Sequence, residues 1–188
     1  MKTLRTVVVA VLLVGLGAST AAASHGQPDH PVPIRGSILG LDTPPNFEDP
    51  ECLAAGATWR FESSGTGTLS HLGKVHFDLV NCTTWYPPPA GSFELEIVGT
   101  MTFTAANGDM LVIAHEAEGV YVPGSATVDW TITEWVVEDG TGRFDSATGS
   151  GDGYALTYVP QSEEEIPYTE IDLSGEIAYD ASNRSQQR

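Results

Sequence analysis

The sequence predicts an all-β domain, an antiparallel closed barrel of about eight strands, with a β-sandwich as the alternative. Three observations predict it. Beyond the first thirty or so residues, apolar and polar residues alternate at a period of two over run after run, the pattern of strands with one buried face. No stretch of that region carries an apolar stripe at helical period. The fifteen residues from Asp139 to Gly153 include five glycines and one large apolar residue, Phe144, which reads as a sharp corner between strands with an aromatic anchor. Strands with one wet face must hide the other, and closing the sheet on itself does so while removing its edges.

Taken in order, the chain opens on an export signal. Lys2 and Arg5 form a basic start, Val7 to Leu16 an apolar run and Ala21-Ala22-Ala23 a small-residue cleavage site, so residues 1–23 are read as a signal peptide. The expected location is extracellular, or periplasmic in a two-membrane bacterium, with no membrane span left after cleavage. Residues 24–33 are polar and proline-rich and read as a flexible leader, residues 34–180 as a single β-barrel domain, and residues 181–188 as a disordered tail. Without Lys2 and Arg5, six basic residues face twenty-five acidic ones, a charge of −19. Such a surface repels nucleic acid and anionic lipid and keeps chains apart in solution. The two cysteines, Cys52 and Cys82, both fall in the exported part, where an even count predicts a disulfide.

Ile34 to Leu41 is a short apolar stretch, followed by a proline-containing loop to Cys52. Trp59 and Phe61 alternate with polar neighbours, as do Val75, Phe77 and Leu79 after the Gly65-Thr66-Gly67 break, and that strand is expected to end at Cys82. The segment Thr83 to Gly91 holds Trp85-Tyr86-Pro87-Pro88-Pro89 and reads as an exposed loop, because proline removes ladder donors. In Ser92 to Thr104, Phe93, Leu95, Ile97, Met101 and Phe103 share one parity. Asn107-Gly108 is a hairpin turn into Met110 to Gly119. Ala126 to Val137 shifts its alternation near Glu134, the mark of a bulge, and Tyr154 to Val159 leads away from the corner. Ile171, Leu173, Ile177 and Tyr179 alternate in the last strand.

The corner carries a resemblance. Gly140-Thr141-Gly142-Arg143-Phe144, followed by Ala147-Thr148-Gly149, resembles a Gly-Thr-Gly-Arg-Phe-x-x-Ala-Thr-Gly block of secreted bacterial proteins of unknown function. The stretches Gly67 to Gly73 and Thr102 to Asp109 fit the same group. More distantly, the corner is similar to that of the allene oxide cyclase and dirigent barrels. The resemblance implies an eight-stranded antiparallel barrel with Gly140, Gly142, Arg143, Phe144, Ala147 and Gly149 as its structural corner. It carries over no active site, since no catalytic motif of those barrels maps onto numbered positions here.

Chemistry is sparse in the pattern. His71, His76 and His115 read as separate polar positions, exposed or hydrogen-bonded. Asp139, Asp145 and Asp152 lack the spacing of a calcium loop, and no catalytic, metal or cofactor set is expected. Arg143 stands among those acids and is expected to hold a carboxylate with both arms of its guanidinium. The expected function is a non-catalytic binding scaffold for a small apolar ligand or a surface partner. A cyclase- or isomerase-like enzyme and a structural role in the cell envelope are the alternatives. Eight strands leave room for side chains alone or for one small ligand. The inward parity holds no polar group, which favours a filled interior and binding at a loop carrying Trp85 and Tyr86.

Overall fold

The computed structural model describes residues 30–86 and 91–179; the expected signal peptide, all but the last residues of the leader, Pro87 to Ala90 and the tail lie outside them. Eight strands follow one another: β1 Val32–Asp42, β2 Trp59–Leu69, β3 Gly73–Tyr86, β4 Phe93–Ala105, β5 Met110–Tyr121, β6 Thr127–Gly140, β7 Thr148–Tyr158 and β8 Tyr168–Ala178. Each pairs antiparallel with the next, and β8 pairs back onto β1 from Val32↔Ile177 to Leu41↔Tyr168, so the sheet is a closed barrel and not a sandwich. β1 begins at Val32, inside the stretch read as leader, because its backbone finds partners on β8.

The inward parity fills one core, with Phe77, Phe103, Met101, Ile132, Ile171 and Ile177 almost wholly buried. The hairpin at Asn107-Gly108 is present, with Gly108 at φ +88°. The bulge near Glu134 is also present, and a second follows it: Glu116 pairs with Glu134 but Ala117 with Ile132, while Val112 pairs with Asp139 but Ile113 with Val137. Each extra residue resets the alternation. The first bulge therefore turns Trp135, not Glu134, into the barrel. Its ring lies over Gly151 and Gly175, where an added Cβ would come within 2.7 and 2.4 Å of it, and its Nε1–H donates to the carbonyls of Asp152 and Ser174. Gly149, Gly151 and Gly153 thus belong to strand β7, which starts at Thr148 and not at Tyr154, and they make room for side chains of β6 and β8.

The corner proper is shorter than the glycine run. Thr141 to Ala147, with one 3-10 turn at Gly142–Phe144, folds across the end of the barrel and drives Phe144 inward until it is fully buried, 5.0 Å from the Tyr179 ring. Ala147 packs partly buried against the same core. Gly142 has φ +62°, and a Cβ there would also meet the Asp109 carboxylate. Asp109 in turn faces Arg143, but through Nε alone at 3.3 Å and without a directed hydrogen bond, so the expected two-armed contact is a single ion contact. The guanidinium stacks 4.8 Å above the Phe144 ring, which takes up its planar face.

The opposite end is crossed by the β1–β2 connection. The sequence shows no helical stripe, yet Pro50–Ala54 makes one helical turn, α1, because Asp49 caps it by accepting from the Glu51 and Cys52 amides and Pro50 presets its φ. Cys52 is buried and bonded to Cys82 on β3, with Cα atoms 5.2 Å apart. Arg60 adds ion contacts to Glu62, Glu51 and Asp49, tying the strap to β2.

Two measurements check this account. Phe144→Ala truncates a fully buried plug and is expected to lose roughly 3–5 kcal/mol, and Gly142→Ala to lose roughly 1–2 kcal/mol or more from its left-handed backbone; urea midpoints equal to the parent for both would mean that the corner seals nothing. Replacing both cysteines by alanine reopens a loop of sequence separation 30. The chain-entropy argument puts that loss at roughly 3.5 kcal/mol, read as a lower denaturant midpoint in non-reducing buffer and no change on adding reductant.

Candidate functional site

The strap end of the barrel holds a cavity of about 300 Å³. Its wall is built from inward positions near the strand ends: Trp59 and Phe61 of β2, Thr83 and Trp85 of β3, Leu95 and Ile97 of β4, Tyr121 of β5, Val128 and Trp130 of β6 and Thr157 of β7. Pro45 and Phe47 of the strap lie at its rim. The interior is therefore not filled throughout, and the reason is compositional. Asn81, Thr83 and Thr157 stand at inward positions along its wall, where Phe77, Phe103 and Trp135 fill the core elsewhere.

Trp85 and Tyr86 are not on a loop. β3 runs past Cys82 because every residue to Tyr86 finds a partner on β4, ending at Tyr86↔Glu94; the first proline comes only afterwards. Trp85 then points inward and packs edge-on against Trp59 at 4.5 Å and against Phe93 at 4.7 Å, which continues through Tyr121 as an aromatic rim. Tyr86 points outward and donates to Glu96, which raises its phenol pKa first through that hydrogen bond. The two residues are separated by the pleat, and only Trp85 belongs to the cavity.

Polar groups line the barrel below the aromatic rim, contrary to the expectation of an apolar interior. The Trp130 Nε1–H donates to Thr157 at 3.1 Å, Thr157 and Thr169 are 2.8 Å apart, and Thr169 donates to Asp42 Oδ2 at 2.8 Å. With Trp130 fixed as a donor and Asp42 as the acceptor, both hydroxyl protons must point the same way, towards the carboxyl. Asp42 is buried and its Oδ1 has no partner among the described residues. Burial pushes its pKa up to about 6, against the lowering effect of the neighbouring Ser63 and Thr169 hydroxyls.

His115 corrects the reading of the histidines as exposed or hydrogen-bonded. The pattern places it inward on β5, buried beside Trp130, with neither ring nitrogen partnered among the described residues. Burial pushes its pKa down to about 4. It stands across Gly99 from Asn81: both pair with Gly99 on β4, and a Cβ at Gly99 would lie 2.2 Å from Asn81 Oδ1 and 3.0 Å from His115 Cε1. Asn81 Oδ1 is buried without a partner as well, and Asn81 reaches the cavity wall.

The other histidines lie elsewhere. His71 sits in the β2–β3 turn at φ +69°, bonded to the Pro33 carbonyl and facing Tyr179, and His76 lies on the outer face beside Asp78. Among the described residues, no three His, Cys, Asp or Glu side chains gather as metal ligands: Asp152 accepts from Ser174 on the outer face, and Asp139 from the Gly140 amide. None of the described helices is long and apolar enough to cross a membrane. No protein-family model matches the chain, and neither curated proteins nor solved structures show a significant similarity to it.

The two buried titratable groups act on stability with opposite sign. Asp42 takes up its proton more readily when folded, so its contribution is present below its unfolded pKa and is lost as pH rises from about 4 to about 6. His115 resists protonation when folded, so its contribution is lost as pH falls from about 6.5 to about 4. Each is worth up to about 3 kcal/mol by linkage, and they offset one another in the parent. Relative to the parent, Asp42→Asn should gain stability as pH rises from 4 to 6, and His115→Leu should lose it. Melting temperatures across that range check both, and parallel curves for all three proteins would show that neither group is shifted.

Proposed function

We propose that this protein is a secreted binding barrel that takes one small, largely apolar ligand in the cavity beneath the strap. The observation that carries the reading is the cavity itself: about 300 Å³, walled by tryptophan, phenylalanine, leucine and isoleucine side chains with a few polar groups among them. That is the size and chemistry of a small-molecule site. The disulfide agrees with an oxidising compartment. The likeness of residues 140–149 to secreted bacterial proteins and to the allene oxide cyclase and dirigent barrels is part of the same proposal.

A cyclase- or isomerase-like activity is the second reading, favoured by Asp42 and His115. A carboxyl poised near neutrality and a neutral imidazole in one barrel are an acid and a base. Binding is preferred because, among the described residues, neither group has a charged partner and neither forms the cavity wall. Phe47 of the strap, exposed and resting on Trp59, marks the mouth of the cavity.

Three of the four tryptophans line the cavity and report on it. Titration with the neutral probe N-phenyl-1-naphthylamine is expected to show saturable binding of one equivalent, with energy transfer from tryptophan. Val128→Trp, which fills the wall, should weaken it at least about tenfold while the fold, read by far-ultraviolet circular dichroism, stays intact. A linear, unsaturable response in the parent would remove the ligand reading and leave a surface partner as the better one.

A further inference from the structure

The hydroxyl relay connects the cavity wall to a buried acid, and this inference rests on the proposed ligand reading. Thr157 and Trp130 line the cavity, whereas the buried Thr169 and Asp42 stand behind them. A threonine hydroxyl oxygen has tetrahedral surroundings. At Thr157 one direction is the bond to Cβ, one accepts from Trp130 Nε1–H at 3.1 Å, and one faces Thr169 Oγ1 at 2.8 Å. The fourth is what the hydroxyl offers a ligand, and its character follows from the direction of the relay.

While Asp42 is ionised, Thr169 donates to its Oδ2 at 2.8 Å, so Thr157 must donate to Thr169 and its fourth direction is a lone pair. A proton on Asp42 reverses this. Oδ1 has no partner among the described residues, whereas a proton on Oδ2 finds Thr169 Oγ1 as its acceptor. Thr169 then turns its own proton to Thr157, which still accepts from Trp130, and the Thr157 O–H is freed. An acceptor becomes a donor without movement of any heavy atom. A second donor on the same wall, Trp85 Nε1–H, is without a partner among the described residues.

We infer that the cavity takes up a neutral carbonyl compound, a ketone or ester on an apolar body, together with one solvent proton that settles on Asp42, and releases the compound as that proton leaves. Among the described residues no lysine or arginine lines the cavity, so a carboxylate would be desolvated without a counter-charge. Asp42 is the group that titrates. Ser63 of β2 and Thr169 of β8 face it; Arg60 and Glu62 of β2 bond to one another on the outer face, Asp49 of the strap faces Arg60, and Tyr168 of β8 stacks on Tyr158. Burial and the two hydroxyls hold its pKa at about 6. A ligand that needs the Thr157 proton binds the protonated form, so its affinity is full below that pKa and falls as pH rises through it. A ligand that donates to Thr157 has the opposite slope. Asn81 Oδ1, an acceptor without a partner among the described residues, favours a donor at any pH and so alters affinity but not slope.

The test uses the full mature chain and three uncharged compounds on one ring system, naphthalene, 2-acetonaphthone and 2-naphthol, by displacement of N-phenyl-1-naphthylamine calibrated at each pH. From pH 5 to pH 7 the ketone should weaken about tenfold, naphthol should tighten severalfold, and naphthalene should hold constant. Calorimetry of the ketone at pH 6.5, in two buffers of different ionisation enthalpy, should show net proton uptake. Asp42→Asn should remove both the slope and the uptake. Should that variant fail to fold, Thr169→Val cuts the relay between Asp42 and Thr157 and should flatten the ketone's slope while Asp42 remains. Equal ketone affinity at pH 5 and pH 7 in the parent overturns the proton linkage while leaving the cavity as a binding site. A slope that survives in Asp42→Asn or Thr169→Val overturns the route through the relay. If neither the probe nor any of the three compounds binds at either pH, the ligand reading itself falls, and the inference with it.

Discussion

Closure of β8 onto β1 is the constraint on which the rest depends. Ten consecutive residues of β1, Val32 to Leu41, hold register with β8, and with the other seven pairings this leaves no unpaired edge. A closed sheet has a single inside, so every inward residue must share one volume of limited width. Bulky residues in one half then force small or polar ones to mark the place where the volume is left open. The two ends cannot close by pairing, since the hydrogen bonds run around the barrel and not across it. Each needs a separate device.

The devices differ, and the difference polarises the molecule. At one end the corner folds Phe144 into the core, held by the left-handed Gly142 and the Asp109–Arg143 contact, so that end is sealed by packing. At the other a strap anchored by the Cys52–Cys82 bond and by Arg60 passes over the mouth, and only Pro45 and Phe47 reach the opening. A cross-link on the outer wall fixes the root of the strap without filling the barrel. That leaves the aromatic rim, Asn81 and the Trp130–Thr157 start of the hydroxyl relay behind an entrance.

Stability and the candidate site pull against each other in this half. Asp42, Asn81 and His115 are buried with atoms lacking partners among the described residues, where apolar residues of similar size would pack without penalty. Residues that weaken a fold without organising it are the expected signature of binding surfaces. Trp135, the largest of the fully buried side chains, shows no such conflict: its indole N–H is satisfied twice by backbone carbonyls.

Much of the frame was legible in the sequence. Period-two alternation identified the strands, Asn107-Gly108 the hairpin, the shifted parity near Glu134 the bulge, and Phe144 among glycines the buried corner, because each is a local statement about backbone and side-chain direction. The cysteine count named the disulfide. The cavity was not legible, because its volume is the difference between what eight strands enclose and what their side chains fill, a property of no single stretch. Trp85 was misplaced for a related reason: three prolines follow it directly, and only pairing with β4 as far as Glu94 shows that the strand continues to their edge. His115, Asn81 and Asp42 could each be read as inward from parity. That His115 and Asn81 stand against one glycine follows from strand register, which sequence separation does not encode and sheet closure decides.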